Sequence, residues 1–244
     1  MILKKKLFAT ILCVIFSGLF FLSFINNAQY RPKKSSDAII AKDYVVEVGN
    51  LTYTVEKGVK YDSYLAVLDA INSCPDYLKY GCTNVTLTTR RLYSIIDDKN
   101  NIYSDPKYDN AVGLCLGSVI YIKDNTIEDF KKIFFHEMTH CADAKQTAYY
   151  NGQYLSDQKA CATLCKKYVD LSKNASDKDT KYFAHTLTAA IGGQLNHEFL
   201  ACVMGNYFSD YDMLSENYPD LVVFAEDHLE TIKSHYEDEI KSPD

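Results

Sequence analysis

A run of strand character, SVIYIKD at 118–124, passes directly into NTIEDFKKIFFHEMTHCADA at 125–144, and no other stretch constrains the fold as tightly. The first part is β-branched and aromatic. In the second, Ile127, Phe130, Phe134, Met138 and Cys141 recur at helical spacing, and Asn125 with Glu128 three residues later has the form of an N-cap. The segment HEMTH therefore sits inside a helix that follows a strand at once. His136 and His140 lie four residues apart, so they leave one helix face a turn apart, and Glu137 sits about 100° around the same helix.

Two imidazoles in that relation converge on one metal ion, and the pattern HExxH is the zinc-hydrolase form of it. A catalytic zinc takes three protein ligands and keeps one position for water, and Glu137 then stands where a general base for that water is needed. The bland reading is a buried polar pair on a core helix. Uncharged Met138 and Thr139, the bulky apolar residues before the motif and the strand ahead of it favour one bound Zn2+. The extended form HExxHxxGxxH is excluded, because Asp143 and Gln146 stand at its glycine and last histidine. His185, His197, Glu198 and Asp210 are the downstream candidates for a third ligand. Glu198 leads, because NHEFLACVMGNYF would bury it among Phe199, Leu200, Val203 and Met204, and a lone buried carboxylate is costly unless paired or metal-bound.

Around this centre the chain reads as α+β. YVVEV at 44–48 and LTYTVEKG at 51–58 form a hairpin, 62–74 a helix ended by Pro75, VTLTT at 85–89 a strand and 97–110 a polar loop. From 155 to 236 the pattern is helical, in four segments. Residues 1–28 run from MILKKK through an apolar stretch at 7–25 to NNAQY, the order of a secretory signal peptide or, uncleaved, of an N-terminal membrane anchor. Residues 29–43 read as a linker and 44–240 as a single catalytic domain, β-rich with the motif helix over 44–145 and helical over 146–240. Export makes disulfides plausible, and Cys74 with Cys82, bracketing PDYLKYG, is the expected local pair. The net charge of −6 disfavours nucleic acid as a partner, and the membrane enters only through 7–25.

The segment HEMTHCAD, the downstream EFLA helix and ENYPDLVVFAEDHLETI resemble the catalytic domain of anthrax toxin lethal factor and the secreted bacterial Pro-Pro endopeptidases. The resemblance is strongest over roughly 117–235. It implies a zincin-like metalloprotease domain: a small mixed sheet with the active-site helix, then a helical C-terminal half. It implies zinc ligands His136, His140 and Glu198, general base Glu137, and a secreted endopeptidase acting on a protein or peptide bound along an edge strand near 118–124. It also implies that Asp143 supports a ligand imidazole. Two positions depart from the family: Cys202 replaces the second acid of its ExxxE helix, and Ile191 its oxyanion tyrosine, for which Tyr182 or Tyr149 and Tyr150 are the substitutes. These departures keep open a catalytically inactive zincin-like binding module.

Overall fold

The structure, a computed structural model, describes residues 38–92, 94–95, 111–124, 129–189 and 194–241. The expected signal segment, the loop at 97–110 and the Asn125 cap lie outside the described residues. Among them, no helix is long and apolar enough to cross a membrane.

Alternation of burial builds the sheet. Strand β1 (Tyr44–Val48) turns through Gly49, whose φ of 63° suits glycine, into β2 (Leu51–Val55), where Leu51, Tyr53 and Val55 all face the core. Helices α1 (Tyr61–Ser73) and α2 (Asp76–Lys79) follow, then β3 (Asn84–Thr88), β4 (Gly113–Leu116) and β5 (Val119–Lys123). The strand order is β1-β2-β3-β5-β4, with the β2–β3 and β3–β5 pairs parallel and the two outer pairs antiparallel. The mixed sheet and the helical half that follows agree with the α+β expectation.

One expectation is overturned. Residues 118–124 are not an edge: β5 bonds β3 on one side and β4 on the other, with Val85 opposite Ile120 and Cys115 opposite Ile120. The edge on this side of the sheet is β4, folded back on β5 by a tight turn in which Gly117 has φ 64°, and β1 is the opposite edge. Four residues, GLCL, that begin with one glycine and are followed by another carry too little periodicity to be read as a strand.

Helix α3 (Phe130–Gln146) lies against the sheet and α1, burying Phe134, Phe135, Met138 and Cys141. Its cap is Asp129, whose carboxylate accepts from the Lys132 amide at 2.9 Å. The helical half comprises α4 (Lys159–Asn174), α5 (Lys178–Leu187), α6 (Leu195–Ser209), α7 (Tyr211–Asn217) and α8 (Pro219–Lys241). Part of the expected linker is docked, since the Ile40 amide donates to Val59 O at 2.8 Å.

The α3–α6 contact positions the site. Phe135 stacks on Phe208 with centroids 4.0 Å apart. Gly205 faces α3 so closely that a Cβ there would stand 3.0 Å from Lys132 O and 3.6 Å from His136 Cβ. Glycine inside a helix costs about 1 kcal/mol against alanine, and here its missing side chain lets the two helix backbones meet beside the motif.

The cysteines depart from expectation. All seven described are free thiols, and the Cys74–Cys82 pair is not formed. The Cys74 thiol turns to Pro75 O at 3.7 Å and that of Cys82 to Asn84 O at 3.4 Å.

Candidate metal centre

The one-turn spacing of α3 brings His136 Nε2 and His140 Nε2 to 3.2 Å from each other. Glu198, in the first turn of α6, reaches both: Oε2 is 3.3 Å from His136 Nε2 and Oε1 is 3.7 Å from His140 Nε2. Donors around a tetrahedral ion at roughly 2.1 Å stand about 3.4 Å apart, so these separations match one shared ion. Two imidazoles and a carboxylate are also a chemically suitable donor set, and among the described residues this is the cluster able to hold a metal ion. The three side chains are 21%, 20% and 25% exposed, which leaves the cluster open to solvent.

The electrostatics suit a cation. Burial and the neighbouring His136 push the His140 imidazole down to about 3, so it stays neutral with a lone pair to give. Burial also opposes protonation of His136, but Cys202, Glu198 and Glu137 around it outweigh that and hold it well above its ordinary value. Burial works against ionisation of Glu198, yet the His136 hydrogen bond and the two imidazoles leave it net lowered. Proton and cation thus compete for the same donors, and metal occupancy should rise with pH.

Glu137 stands beside the cluster, with Oε1 4.0 Å from His136 Nε2. Burial, opposed by His136 and reinforced by Glu198, raises its carboxyl to about 7. Its other neighbour is Gly113 on β4, where a Cβ would press into the carboxylate and stand 2.8 Å from Glu137 Cγ.

The ring nitrogen of His136 that faces away from Glu198 has a sulfur partner. His136 Nδ1 is 3.7 Å from Cys202 Sγ, and the Cys202 thiol donates to Thr186 O at 3.7 Å. With the thiol proton spent on the carbonyl, sulfur is left to accept N–H from His136, which points the lone pair of Nε2 at the cluster.

The remaining expected residues fall elsewhere. Asp143 is buried, but its oxygens are taken by Ser156, accepting the amide at 3.0 Å and the hydroxyl at 2.5 Å, so it anchors the 3-10 turn Leu155–Asp157 rather than an imidazole. Tyr182 is 72% exposed on α5 and outside the cleft lining. Tyr149 stacks on His235, centroids 3.9 Å apart. A cleft of about 570 Å³ opens over the cluster, and Tyr154 and His197 are in its wall. Their rings lie 4.3 Å apart, and His197 Nε2 is 3.3 Å from Asp157 Oδ1, so His197 is tied to the turn and stands outside the donor cluster. Tyr154 has no periodic or motif signal in GQYLSD; only the closure of that turn by Asp143 brings it to the cleft.

No protein-family model matches the chain, and no curated protein matches its sequence. Among solved structures, the Pro-Pro endopeptidase PPEP-2 from Paenibacillus alvei is similar at 15% identity and a TM-score of 0.49, over 72% of this chain and 96% of that one.

Proposed function

We propose that this chain is an exported zinc-dependent endopeptidase. The observation that carries the reading is the convergence of His136, His140 and Glu198 with Glu137 alongside, at the foot of a solvent-open cleft. Two imidazoles with one carboxylate suit zinc better than calcium or magnesium, which prefer all-oxygen shells. Zinc bound by such a set polarises a substrate carbonyl and activates water at neutral pH. Glu137 accepts the proton of the attacking water and delivers it to the leaving amine. The edge strand β4 lines the cleft and, among the described residues, has no strand partner on its outer side, so an extended peptide can add to it through backbone hydrogen bonds. Export rests on the order of charges and apolar residues in 1–28.

Metal analysis of the purified chain, together with cleavage of denatured casein and a broad peptide library, tests this reading. The expected outcome is one zinc per chain and cleavage that a chelator abolishes and added zinc restores. Zinc-loaded protein that cleaves nothing would instead make it a binding module.

Gly113 gives a sharper check. Gly113→Ala displaces the Glu137 carboxylate rather than the metal donors. A misplacement on the order of 1 Å costs about 10²-fold in rate, so hydrolysis should fall by that much with zinc content unchanged. Loss of zinc alongside activity would count against this account of the strand.

A further inference from the structure

We propose that Cys115 and Cys141 are a redox pair whose disulfide clamps the edge strand β4 to the motif helix α3. Their sulfurs are 3.2 Å apart. Both thiols are aimed at one acceptor, Gly117 O, at 3.5 Å from Cys115 and 3.4 Å from Cys141. A disulfide has its sulfurs about 2.05 Å apart, so roughly 1.2 Å of closure makes the bond, within reach of small side-chain rotations.

The other described cysteines are placed differently. Cys161 and Cys165 are buried on one face of α4, and Cys202 is engaged with His136 and Thr186. Cys82 is the competitor among them, since its thiol, turned to Asn84 O, also neighbours Cys141. It is buried, however, whereas Cys115 is partly exposed and lines the cleft, where an oxidant can reach it.

A low-molecular-weight disulfide serves as the two-electron acceptor. The Cys115 sulfur attacks it, forming a mixed disulfide and expelling one small thiol. Cys141 then attacks the Cys115 sulfur and expels the second small thiol. The two protons lost by the protein end on the released thiols, and one protein S–S bond replaces the S–S bond of the oxidant.

The position gives the bond its consequence. Cys141 follows His140 directly, and Cys115 is two residues beyond Gly113, which packs on Glu137. The clamp therefore joins the strand walling the cleft to the helix bearing His136, Glu137 and His140. Its formation is independent of the metal reading, and only its bearing on hydrolysis rests on that reading.

The full chain equilibrated with oxidised glutathione, against a reduced control, is alkylated, digested without reduction and mapped by mass spectrometry. The expected result is a Cys115–Cys141 linked peptide, a loss of two free thiols and a melting temperature about 5–10 °C above the reduced form. Cys115→Ser, a change at a partly exposed position, should lose all three effects, and Cys82→Ser should keep them. A link between Cys82 and Cys141, two thiols still lost in Cys115→Ser, or no loss of thiols in the wild type would each overturn the proposal.

Discussion

Glu137→Gln should lower the kcat/KM of peptide hydrolysis by about 10²–10⁴-fold while one zinc per chain is retained, because the amide keeps the shape of the side chain and loses its ability to take a proton. Metal retention is the expectation from geometry: the cluster that could hold the ion is His136, His140 and Glu198, and Glu137 is beside it. The pH profile of the wild type carries the same residue. Glu137 must be ionised to act as a base, and burial raises it to about 7 before the charge of a bound cation draws it down, so the acid limb of activity should lie at or below pH 7. Stability moves in the opposite sense. A carboxyl whose folded value exceeds its unfolded one favours the native state below the unfolded value and loses that contribution as pH rises through the folded one. Metal-free Glu137→Gln should therefore be at least as stable as metal-free wild type at pH 8. Paired kinetics, metal analysis and thermal melts check all of this; full hydrolysis by the variant would remove Glu137 from the mechanism.

The parts of this arrangement legible in the sequence are those with short-range period or spacing. His136 and His140 are one turn apart on any helix, and the apolar stripe through Phe134, Met138 and Cys141 requires that helix to be buried on one side. Glu198 is legible through its neighbours Phe199, Leu200, Val203 and Met204, whose burial fixes its helix against the core, although the carboxylate itself is 25% exposed and not the buried lone charge the sequence suggests. The rest depends on long-range pairing. Which strand lies at the edge is decided by how β4 folds back on β5, and GLCL has too little pattern to announce it. The resemblance implies that Asp143 supports a ligand imidazole, yet a serine thirteen residues further on satisfies it instead. The same closure carries Tyr154 into the cleft, so one misjudged hydrogen bond hid a wall residue. Among the cysteines, sequence proximity suggested Cys74 with Cys82, whereas the strand–helix crossing brings Cys115 to Cys141 across 26 residues.

Removing the third donor should have the second large effect. Anything that binds only the folded chain stabilises it by RT ln(1 + [L]/Kd), about 4 kcal/mol at 1,000 times Kd, which for a domain of this size is a melting shift of about 8–16 °C. Wild type should show that shift on zinc addition. Glu198→Ala should show little of it and lose hydrolysis, because His136 and His140 alone leave two donors from a single helix. The variant also deprives His136 of the carboxylate 3.3 Å away, one of the groups that hold its pKa up. The metal-free variant should consequently melt below metal-free wild type, most clearly at a pH where His136 carries its proton. Melts at matched zinc concentrations, with and without chelator, separate the two effects: the first is the difference that zinc makes, the second the difference between the chelated proteins. A full zinc shift in Glu198→Ala would mean that another group, with His197 the nearest in sequence, completes the donor set, and Glu198 would then be no metal ligand.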